Sequence, residues 1–174
     1  MKKARKSPSY KGLAPSSPNS TRAARACSAK RDTAPERLLR RALKARKLRF
    51  HVDALDLPGR PDIALRRERL AVFCDGDFWH GRNLRARLAK LAGGHNGAYW
   101  VAKIQSNVER DRRIETELEV RGWRFLRFWE SDVRASPEAA ADSICKAVRG
   151  AAKRLSVRTG LRSRGRKITN GRGE

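Results

Sequence analysis

The chain has 174 residues, a length at which one α/β domain buries most of its apolar surface without disulfides or metal ions. Its 42 lysines and arginines outnumber 18 acidic residues and give a formal net charge of +24, which indicates a polyanionic partner, with nucleic acid as the first candidate. The absence of a long apolar segment and the three scattered cysteines, which lack CxxC spacing, argue against a membrane protein, a disulfide framework and a cysteine zinc site, and favour a cytoplasmic protein.

Both ends of the chain are predicted to be disordered basic tails. Residues 1–20 contain five lysines and arginines and no acidic residue, and residues 151–174 contain eight against one glutamate. Segments with charge of one sign and few apolar residues cannot bury enough surface to fold. The predicted domain therefore spans residues 21–150, which are themselves strongly basic.

The first half of this domain is predicted to contain a helix followed by strands. The helix begins at Asp32-Thr-Ala-Pro-Glu36, where a capping oxygen, an early proline and a first-turn carboxylate come together, and it runs to about Arg46. The turn at Leu57–Asp62 contains two prolines and a glycine, which make it rigid. Three β-like runs surround this turn, at Arg49–Leu55, Ile63–Leu65 and Arg69–Asp75.

The second half is predicted to contain a loop, a long helix, a strand and a closing helix. Residues 82–97 are basic and glycine-rich, which indicates the loop. The helical pattern of Tyr99–Arg121 ends at Gly122, a favoured residue just past a helix. Trp123–Trp129 has the aromatic composition of a strand, and Pro137–Val148 is predicted to form the closing helix.

Asp62 is the first candidate for catalysis, since a stiff turn holds its carboxylate at the start of a strand. It either binds a metal ion or caps its own turn. The strand that ends at Asp75 is expected to lie beside it and to bring Cys74 and then His80 to the same edge. Mg²⁺ prefers oxygen ligands, and a nearby histidine can accept a proton from the attacking water, although a lone histidine is more often a packed or surface residue.

Phe78 and Trp79 stand between acidic residues and His80, just after the predicted strand ends. Adjacent aromatic residues usually belong to a core. Their place beyond the strand is poorly explained by core packing, and bulky side chains of this kind can wedge between the base steps of a duplex. Both interpretations therefore stay open.

Two further carboxylates have alternative interpretations. Asp111 shares one face of the long helix with Trp100, Ile104 and Leu118, so it needs a partner inside the protein, either an arginine or an active site. Glu36 stands in the first turn of the first helix, where it either stabilises the helix dipole or takes part in catalysis.

Six ordered blocks of the sequence resemble the very short patch repair (Vsr) DNA mismatch endonucleases. The resemblance covers about residues 21–134. Its markers are Thr21-Arg22, Arg31-Asp-Thr-Ala-Pro-Glu36, Leu57-Pro-Gly-Arg-Pro-Asp62, Val72-Phe-Cys-Asp-Gly-Asp-Phe-Trp-His-Gly81, the block Tyr99–Arg113, and Gly122-Trp-Arg-Phe-Leu-Arg-Phe-Trp-Glu130.

The resemblance implies a restriction-endonuclease-like fold, in which helices flank a central mixed β-sheet. It implies an enzyme that nicks double-stranded DNA beside a T·G mismatch, uses Mg²⁺, and acts as a monomer in the bacterial cytoplasm. The family lacks the usual catalytic lysine of this fold, and the strand at residues 69–75 likewise contains no Glu-x-Lys. Partner proteins in repair stay open.

The resemblance also implies residue roles. Asp62 binds the metal ion, and Cys74 contacts it through its main-chain carbonyl. His80 matches the general base, and Glu36 and Asp111 match acidic residues of the active site. The positions matched to DNA contacts are the intercalating Phe78, Trp79 and Trp100, and also Lys103 and Asn107, which face the DNA.

One departure from the family concerns a structural zinc ion. The positions that match its ligands hold Asp77, Arg82, Leu84 and Ser131, and arginine and leucine cannot bind zinc. We therefore expect no structural zinc, and the mismatch specificity stays open. The alternatives are a nuclease that cuts other structured or foreign DNA and a basic DNA-binding protein without catalysis. The set of acidic residues and His80 favours an enzyme, because a pure binder has no need for carboxylates that face phosphate.

Overall fold

The structure is a computed structural model that describes Pro8 and residues 31–94 and 96–162, with side chains described as far as residue 150. Apart from Pro8, the predicted tail at residues 1–20 lies outside the described residues, as does the end of the other tail, residues 163–174. No helix in the described part of the chain is both long and apolar enough to cross a membrane. The helices are α1 (Ala34–Ala45), α2 (Leu84–Ala92), α3 (Gly97–Val120), α4 (Glu130–Ala135) and α5 (Pro137–Arg162), and the strands are β1 (His51–Val52), β2 (Ile63–Leu65), β3 (Leu70–Asp75) and β4 (Arg124–Trp129).

The strands form one mixed sheet in the order β1-β2-β3-β4. β1, β2 and β3 pair antiparallel, as short connections allow, whereas β3 and β4 pair parallel. A parallel pair requires the chain to return to the starting end of the sheet, and α2 and α3 make this connection. The predicted fold class, a mixed sheet flanked by helices, is confirmed.

Both faces of the sheet are covered, because alternate residues of β3 belong to different cores. Leu70 and Val72 pack with residues of α1, α4 and α5, whereas Ala71 and Phe73 pack with Leu118 of α3. Burial on both faces accounts for the nearly continuous apolar sequence of β3. The sheet is therefore a rigid layer whose edge can hold side chains in fixed positions.

The predicted strand at residues 49–55 is mostly wrong, since only His51 and Val52 pair as β1. The backbone turns at Asp53, which has a positive φ of 54°. The Asp53 carboxylate accepts two hydrogen bonds of 2.6 Å from the Arg60 guanidinium across the turn. This ion pair favours a turn over a longer strand.

Gly59 lies in the same turn and presses against α3. Its φ is +71°, and a Cβ there would lie 2.5 Å from Cγ2 of Ile114. The turn and the helix approach each other too closely for any larger residue. This contact fixes the turn that leads into Asp62.

The predicted loop at residues 82–97 is also wrong, because residues 84–92 form α2. The glycines that suggested a loop, Gly93 and Gly94, lie just after this helix. Leucine, alanine, arginine and lysine fill α2, and all of them favour helices. The amphipathic pattern of α2 is weak. The helix is supported instead by packing against α3.

The end of the chain differs from the prediction in two ways. A short helix, α4, follows β4 directly, and its Val133 is buried in the core. The closing helix begins at Pro137 as predicted but extends to Arg162 rather than Val148, into the segment predicted as a tail. Charge composition alone predicted disorder and did not register that alanine and arginine sustain a helix.

Candidate active site

Asp62 lies at the edge of the sheet where β2 begins and β3 ends. The register pairs Ile63 with Val72, so the residue before β2 comes beside the last residues of β3. Oδ2 of Asp62 accepts a hydrogen bond of 2.8 Å from the main-chain N–H of Cys74. The carboxylate thus bonds to the neighbouring strand rather than to its own turn.

The surroundings of Asp62 are electrostatically unfavourable for its charge. Burial, and after it the negative charges of Glu36 and Asp75, raise the pKa of Asp62 from 3.8 to about 6, against the lowering effect of the Cys74 N–H. A divalent cation would relieve this repulsion, and oxygen donors suit Mg²⁺. Within the described residues no three Asp, Glu, His or Cys side chains form a ready metal cage. A bound Mg²⁺ would therefore depend on Asp62, a main-chain carbonyl, water and phosphate.

Glu36 is buried at the start of α1. Its Oε1 accepts a hydrogen bond of 2.7 Å from the Thr33 hydroxyl, and its Oε2 accepts one of 3.0 Å from the main-chain N–H of Asp32. Glu36 thus accepts hydrogen bonds from two groups that precede α1, whereas the Thr33 side chain itself caps no N–H of the helix. The charge of Glu36 also acts on Asp62. The helix-start role is observed, and the catalytic role stays a prediction.

His80 follows β3 and points its ring towards α3. Nδ1 lies 2.7 Å from Oδ2 of Asp111 and 3.6 Å from Oδ1 of Asp75. Burial is the largest single effect on Asp111 and raises its pKa, but the hydrogen bond from His80 and the nearby positive charges together outweigh burial and lower that pKa. An ionised Asp111 accepts a hydrogen bond from Nδ1–H of His80. In the neutral ring this leaves Nε2 as a hydrogen-bond acceptor.

Asp111 occupies the predicted inward face of α3. Ile104 and Leu118 on the same face are fully buried, Asp111 is buried, and Trp100 is half-buried. The sequence left open whether Asp111 pairs with an arginine or belongs to an active site. The structure shows the arginine contact, since its Oδ1 lies 3.3 Å from Nη2 of Arg127, and it also places His80 at its Oδ2. A role in catalysis stays a prediction.

Arg127 and Asp75 complete this arrangement, and the sequence did not mark either of them as a candidate site residue. Arg127 contacts Asp75 through Nε at 2.5 Å and through Nη2 at 3.1 Å. No motif marks the pair, since the two residues stand on different strands. Two features of the sequence point to these residues. Arg127 interrupts an apolar run in β4, and Asp75 is the last residue of a buried strand.

Phe78, Trp79 and Trp100 form what we call the aromatic cluster. The ring centroids of Phe78 and Trp79 lie 4.9 Å apart, and both lie 6.0 Å from that of Trp100. All three side chains are half-buried, and none belongs to either hydrophobic core. The guanidinium of Arg87 lies 5.2 Å from the Phe78 centroid. The cluster joins the segment after β3 to the first turns of α3.

Asn107 and Lys103 lie one turn apart on α3, near this cluster. Asn107 is buried, and its amide donates a hydrogen bond of 3.0 Å to the main-chain carbonyl of Trp79. Lys103 is half-buried. Asn107 therefore holds the backbone that carries Trp79. Direct contact of either residue with DNA stays a prediction.

The four positions matched to zinc ligands contain a cluster centred on Arg82. Its Nη1 lies 3.1 Å from Oδ1 of Asp77 and also contacts the Ser131 hydroxyl. Its Nη2 lies 2.8 Å from Oδ1 of Asp132. Ser131 in turn donates a hydrogen bond of 3.0 Å to Asp77. The guanidinium thus links the segment after β3 to the start of α4.

The fourth of these positions, Leu84, has an apolar role instead. Its Cδ1 would lie 3.0 Å from a Cβ on Gly81, whose φ is +79°. Val108 of α3 approaches the same point to 3.1 Å. The turn between His80 and α2 is therefore held by close packing around Gly81 as well as by the Arg82 cluster.

Comparison with known proteins identifies relatives over the part of the chain that contains this site. A sequence model of the family described as "DNA mismatch endonuclease Vsr" matches residues 17–86. The Type II nicking enzyme V.NmeDIP of Neisseria meningitidis serogroup C is 38% identical over 117 residues, which cover 67% of this chain and 78% of that protein. The DNA mismatch endonuclease Vsr of Escherichia coli (strain K12) is 37% identical over 116 residues, covering 67% and 72%.

The Type II nicking enzyme V.HpaIIP of Haemophilus parainfluenzae is a third relative. It is 36% identical over 124 residues, which cover 71% of this chain and 86% of that protein. These alignments extend well beyond a single motif. At this identity and coverage, the chain and these relatives belong to one protein family.

The raised pKa of Asp62 predicts a stability that depends on pH. Because the pKa of Asp62 is higher in the folded than in the unfolded state, ionisation of Asp62 lowers the free energy of unfolding. This destabilisation is absent below about pH 4, grows as the pH rises and is complete above about pH 6. We expect Asp62→Asn to be more stable than the natural protein at pH 7.5, by up to about 3 kcal/mol, and the difference to shrink at pH 4.5. Urea unfolding with EDTA present measures it.

Asp56→Asn is the matched control for this prediction. Hydrogen bonds from Arg66 lower the pKa of Asp56 to about 2. Ionisation of Asp56 therefore stabilises the folded state, whereas ionisation of Asp62 destabilises it. The control should be no more stable than the natural protein at either pH. Equal stability of Asp62→Asn and the natural protein at both pH values would contradict the assignment of an unfavourable charge to Asp62.

The Arg82 cluster predicts a protein that keeps the segment 76–84 ordered without zinc. Elemental analysis of the purified protein should find no stoichiometric zinc, because Asp77 is the one side chain among the four matched positions that readily binds it. Arg82→Ala should speed hydrogen exchange of the main-chain amides in this segment, since it removes the link to α4. Arg85→Ala, in the exposed neighbouring turn, is the control and should change little.

Two outcomes would refute this account. Stoichiometric zinc in the purified protein would mean that other ligands replace the matched positions. Unchanged exchange in Arg82→Ala would mean that packing around Gly81 alone orders the segment.

Proposed function

Because this chain belongs to the Vsr family of DNA endonucleases, we propose that it nicks one strand of double-stranded DNA beside a T·G mismatch with Mg²⁺ as cofactor. Family membership makes it a DNA endonuclease of the mismatch repair type. The T·G specificity, the metal ion and the roles of individual residues are the proposal. The observation that carries it is the pair formed by His80 and Asp111 at the sheet edge that also holds Asp62.

Asp62 and the main-chain carbonyl of Cys74 are the proposed metal ligands. When bound, Mg²⁺ would activate a water molecule and stabilise charge on the phosphate. The main-chain N–H of Cys74 fixes Asp62 in place, so the carboxylate needs no reorganisation. Its raised pKa means that it is available as an anion above about pH 6, which suits a cytoplasmic enzyme.

His80 is the proposed general base. Its Nδ1–H is committed to Asp111, so Nε2 carries the free lone pair that accepts a proton from water. The side chain is 22% exposed, which keeps the ring accessible while its orientation is fixed. The buried, ionised Asp111 also stabilises the imidazolium that forms when the proton is transferred.

The aromatic cluster is the proposed wedge that enters the duplex. Its rings touch one another rather than either core, so they are held as a group near the active site. Unstacking a base step costs on the order of a few kcal/mol, and the cost is lowest where pairing is already weak. A mismatch would therefore be selected partly through its own deformability.

Basic side chains supply the remaining affinity for DNA. Exposed arginines and lysines stand on both helices that flank the aromatic cluster, among them Arg85, Lys90, Arg112 and Arg113. Contacts of this kind with phosphate are independent of sequence and weaken with salt. They would position the duplex, whereas the aromatic cluster would choose the site.

A second candidate is the nicking of other distorted duplexes. The observation that favours it is the Arg82 cluster, which occupies the position of the family's structural zinc next to the aromatic cluster. A different support for this segment could change which distortions fit. The experiment below separates the two candidates.

We expect nicking of a T·G-mismatched duplex in the presence of Mg²⁺, with little cutting of paired or single-stranded DNA and none with EDTA. Asp62→Ala should abolish nicking but keep DNA binding, because it removes a metal ligand and a negative charge beside phosphate. His80→Ala should lose roughly 10²–10⁴ in rate, the usual scale for a positioned base. End-labelled oligonucleotides resolved on denaturing gels give these rates.

His51→Ala is the control for the histidine, since His51 is exposed on β1. Cutting of other mismatches or of branched duplexes at equal rates would favour the second candidate. Full activity of Asp62→Ala would refute the proposed metal site, and a loss below tenfold for His80→Ala would make His80 a structural residue.

The wedge role predicts that Phe78→Ala and Trp79→Ala reduce the preference for mismatched over paired DNA more than they reduce non-specific binding. The reason is that the rings act on stacking, whereas lysines and arginines supply the salt-dependent affinity. Fluorescence anisotropy with both duplexes across a salt series separates these contributions.

The control for the wedge is Phe125→Ala, because Phe125 packs on the hydrophobic core around Phe73 and Leu118. It should lower stability and leave the preference of the folded protein unchanged. If Phe78→Ala and Trp79→Ala lose both kinds of binding equally, or unfold as readily as the control, they are packing residues and the wedge role is wrong.

A further inference from the structure

His80 has two carboxylates within reach of one ring nitrogen. Nδ1 lies 2.7 Å from Oδ2 of Asp111 and 3.6 Å from Oδ1 of Asp75. In the neutral ring Nδ1 carries a single hydrogen, so it forms one strong hydrogen bond at a time. The choice between the two acceptors sets the direction of the ring, and with it the place of Nε2.

Arg127 makes this choice, because it occupies the competing oxygens. Its Nε lies 2.5 Å from Oδ2 of Asp75, and its Nη2 lies 3.1 Å from Oδ1 of the same carboxylate. Nη2 also approaches Oδ1 of Asp111 at 3.3 Å. Both Asp75 oxygens are thus engaged, and Oδ2 of Asp111 is the oxygen left for His80.

The Arg127 guanidinium is itself held from two more sides. Nη1 lies 3.1 Å from Oε1 of Glu115 on α3, and the guanidinium carbon lies 4.7 Å from the centroid of the Phe73 ring. Phe73 is directly opposite Arg127 in the parallel register. Contacts on the edge and on the face leave the planar group a single arrangement.

We propose that Arg127 is a positioning residue of the hydrolytic reaction, which engages Asp75 and so directs His80 Nδ1 to Asp111 and His80 Nε2 to the attacking water. This inference rests on the proposed role of His80 as general base. Arg127 acts through the two carboxylates and touches neither the water nor the phosphate. Its side chain is 18% exposed, and all three of its nitrogens contact carboxylates, which makes it a poor phosphate ligand.

The charges around His80 support the same assignment. Asp75, Asp111 and Glu115 bring three negative charges to one buried region, and Arg127 contacts all three. Arg110 contacts Asp111 at 3.3 Å from the solvent side, with about half of its side chain exposed. Without Arg127, Asp75 would be a buried carboxylate without its principal partner and would compete for His80.

The test compares Arg127→Gln, Arg127→Lys and the double variant Asp75→Asn/Arg127→Gln, with Arg110→Gln as the matched control. Single-turnover nicking of a T·G duplex gives the rate, and anisotropy gives the Kd for the same duplex. Histidine side-chain ¹⁵N spectra, assigned with His80→Ala, report which ring nitrogen carries hydrogen and whether the ring has one orientation. Circular dichroism establishes that each variant is folded at the assay temperature.

We expect Arg127→Gln to nick roughly 10- to 100-fold more slowly, the range for residues that orient a ligand or base, with Kd nearly unchanged. Its spectrum should show His80 exchanging between two arrangements. Arg127→Lys should recover part of the rate, because it keeps the charge but not the fork. The double variant should also recover part of the rate. The neutral amide that replaces the Asp75 carboxylate no longer competes as an anion, and the carboxylate that depends most on Arg127 is gone. Arg110→Gln should resemble the natural protein.

Several results would overturn the inference. It fails if folded Arg127→Gln nicks at the natural rate while His80→Ala is inactive, or if the His80 spectrum is unchanged in Arg127→Gln. It also fails if the double variant recovers nothing. Normal nicking by His80→Ala would instead refute the proposed function, and the spectra would still decide whether Arg127 orients the ring.

Discussion

The parallel pairing of β3 with β4 is the constraint on which the site depends. It places the last residues of both strands at one edge of the sheet, and it sets Phe73 opposite Arg127. A parallel pair also needs a long connection, which here carries α3 back across the sheet. As a result, Asp111 on α3 meets His80 from the end of β3.

The site is also a region of acidic charge in a strongly basic protein. Arginines are abundant, yet burial, and after it the negative charges of Glu36 and Asp75, raise the pKa of Asp62. Asp75 and Asp111 share one guanidinium, whereas the exposed Asp56 has its own arginine. Asp53 is likewise paired with Arg60. A bound cation would relieve the repulsion among the buried carboxylates.

The segment after β3 is held by an arginine-centred group of polar contacts and by apolar packing. Arg82 contacts Asp77, Ser131 and Asp132, and Leu84 packs against Gly81. An arginine can hold several oxygens in one plane through its fork of N–H groups. The same segment carries Phe78, Trp79 and His80, so its order would affect both of the roles proposed for these residues. Asn107 adds a hydrogen bond to the backbone at Trp79.

The elements with strong local patterns, and the residues at the ends of these elements, could be predicted from the amino-acid sequence. The buried run of β3, the inward face of α3 and the helix start at Thr33 were predictable because periodicity and caps are local properties. The helix α2 was not, since its pattern is weak and its support comes from α3. Only the tertiary structure paired Arg127 with Asp75, 52 positions earlier in the chain, and chose Asp111 over Asp75 for His80. Such contacts depend on strand register and helix crossing, which bring together residues that no local spacing relates.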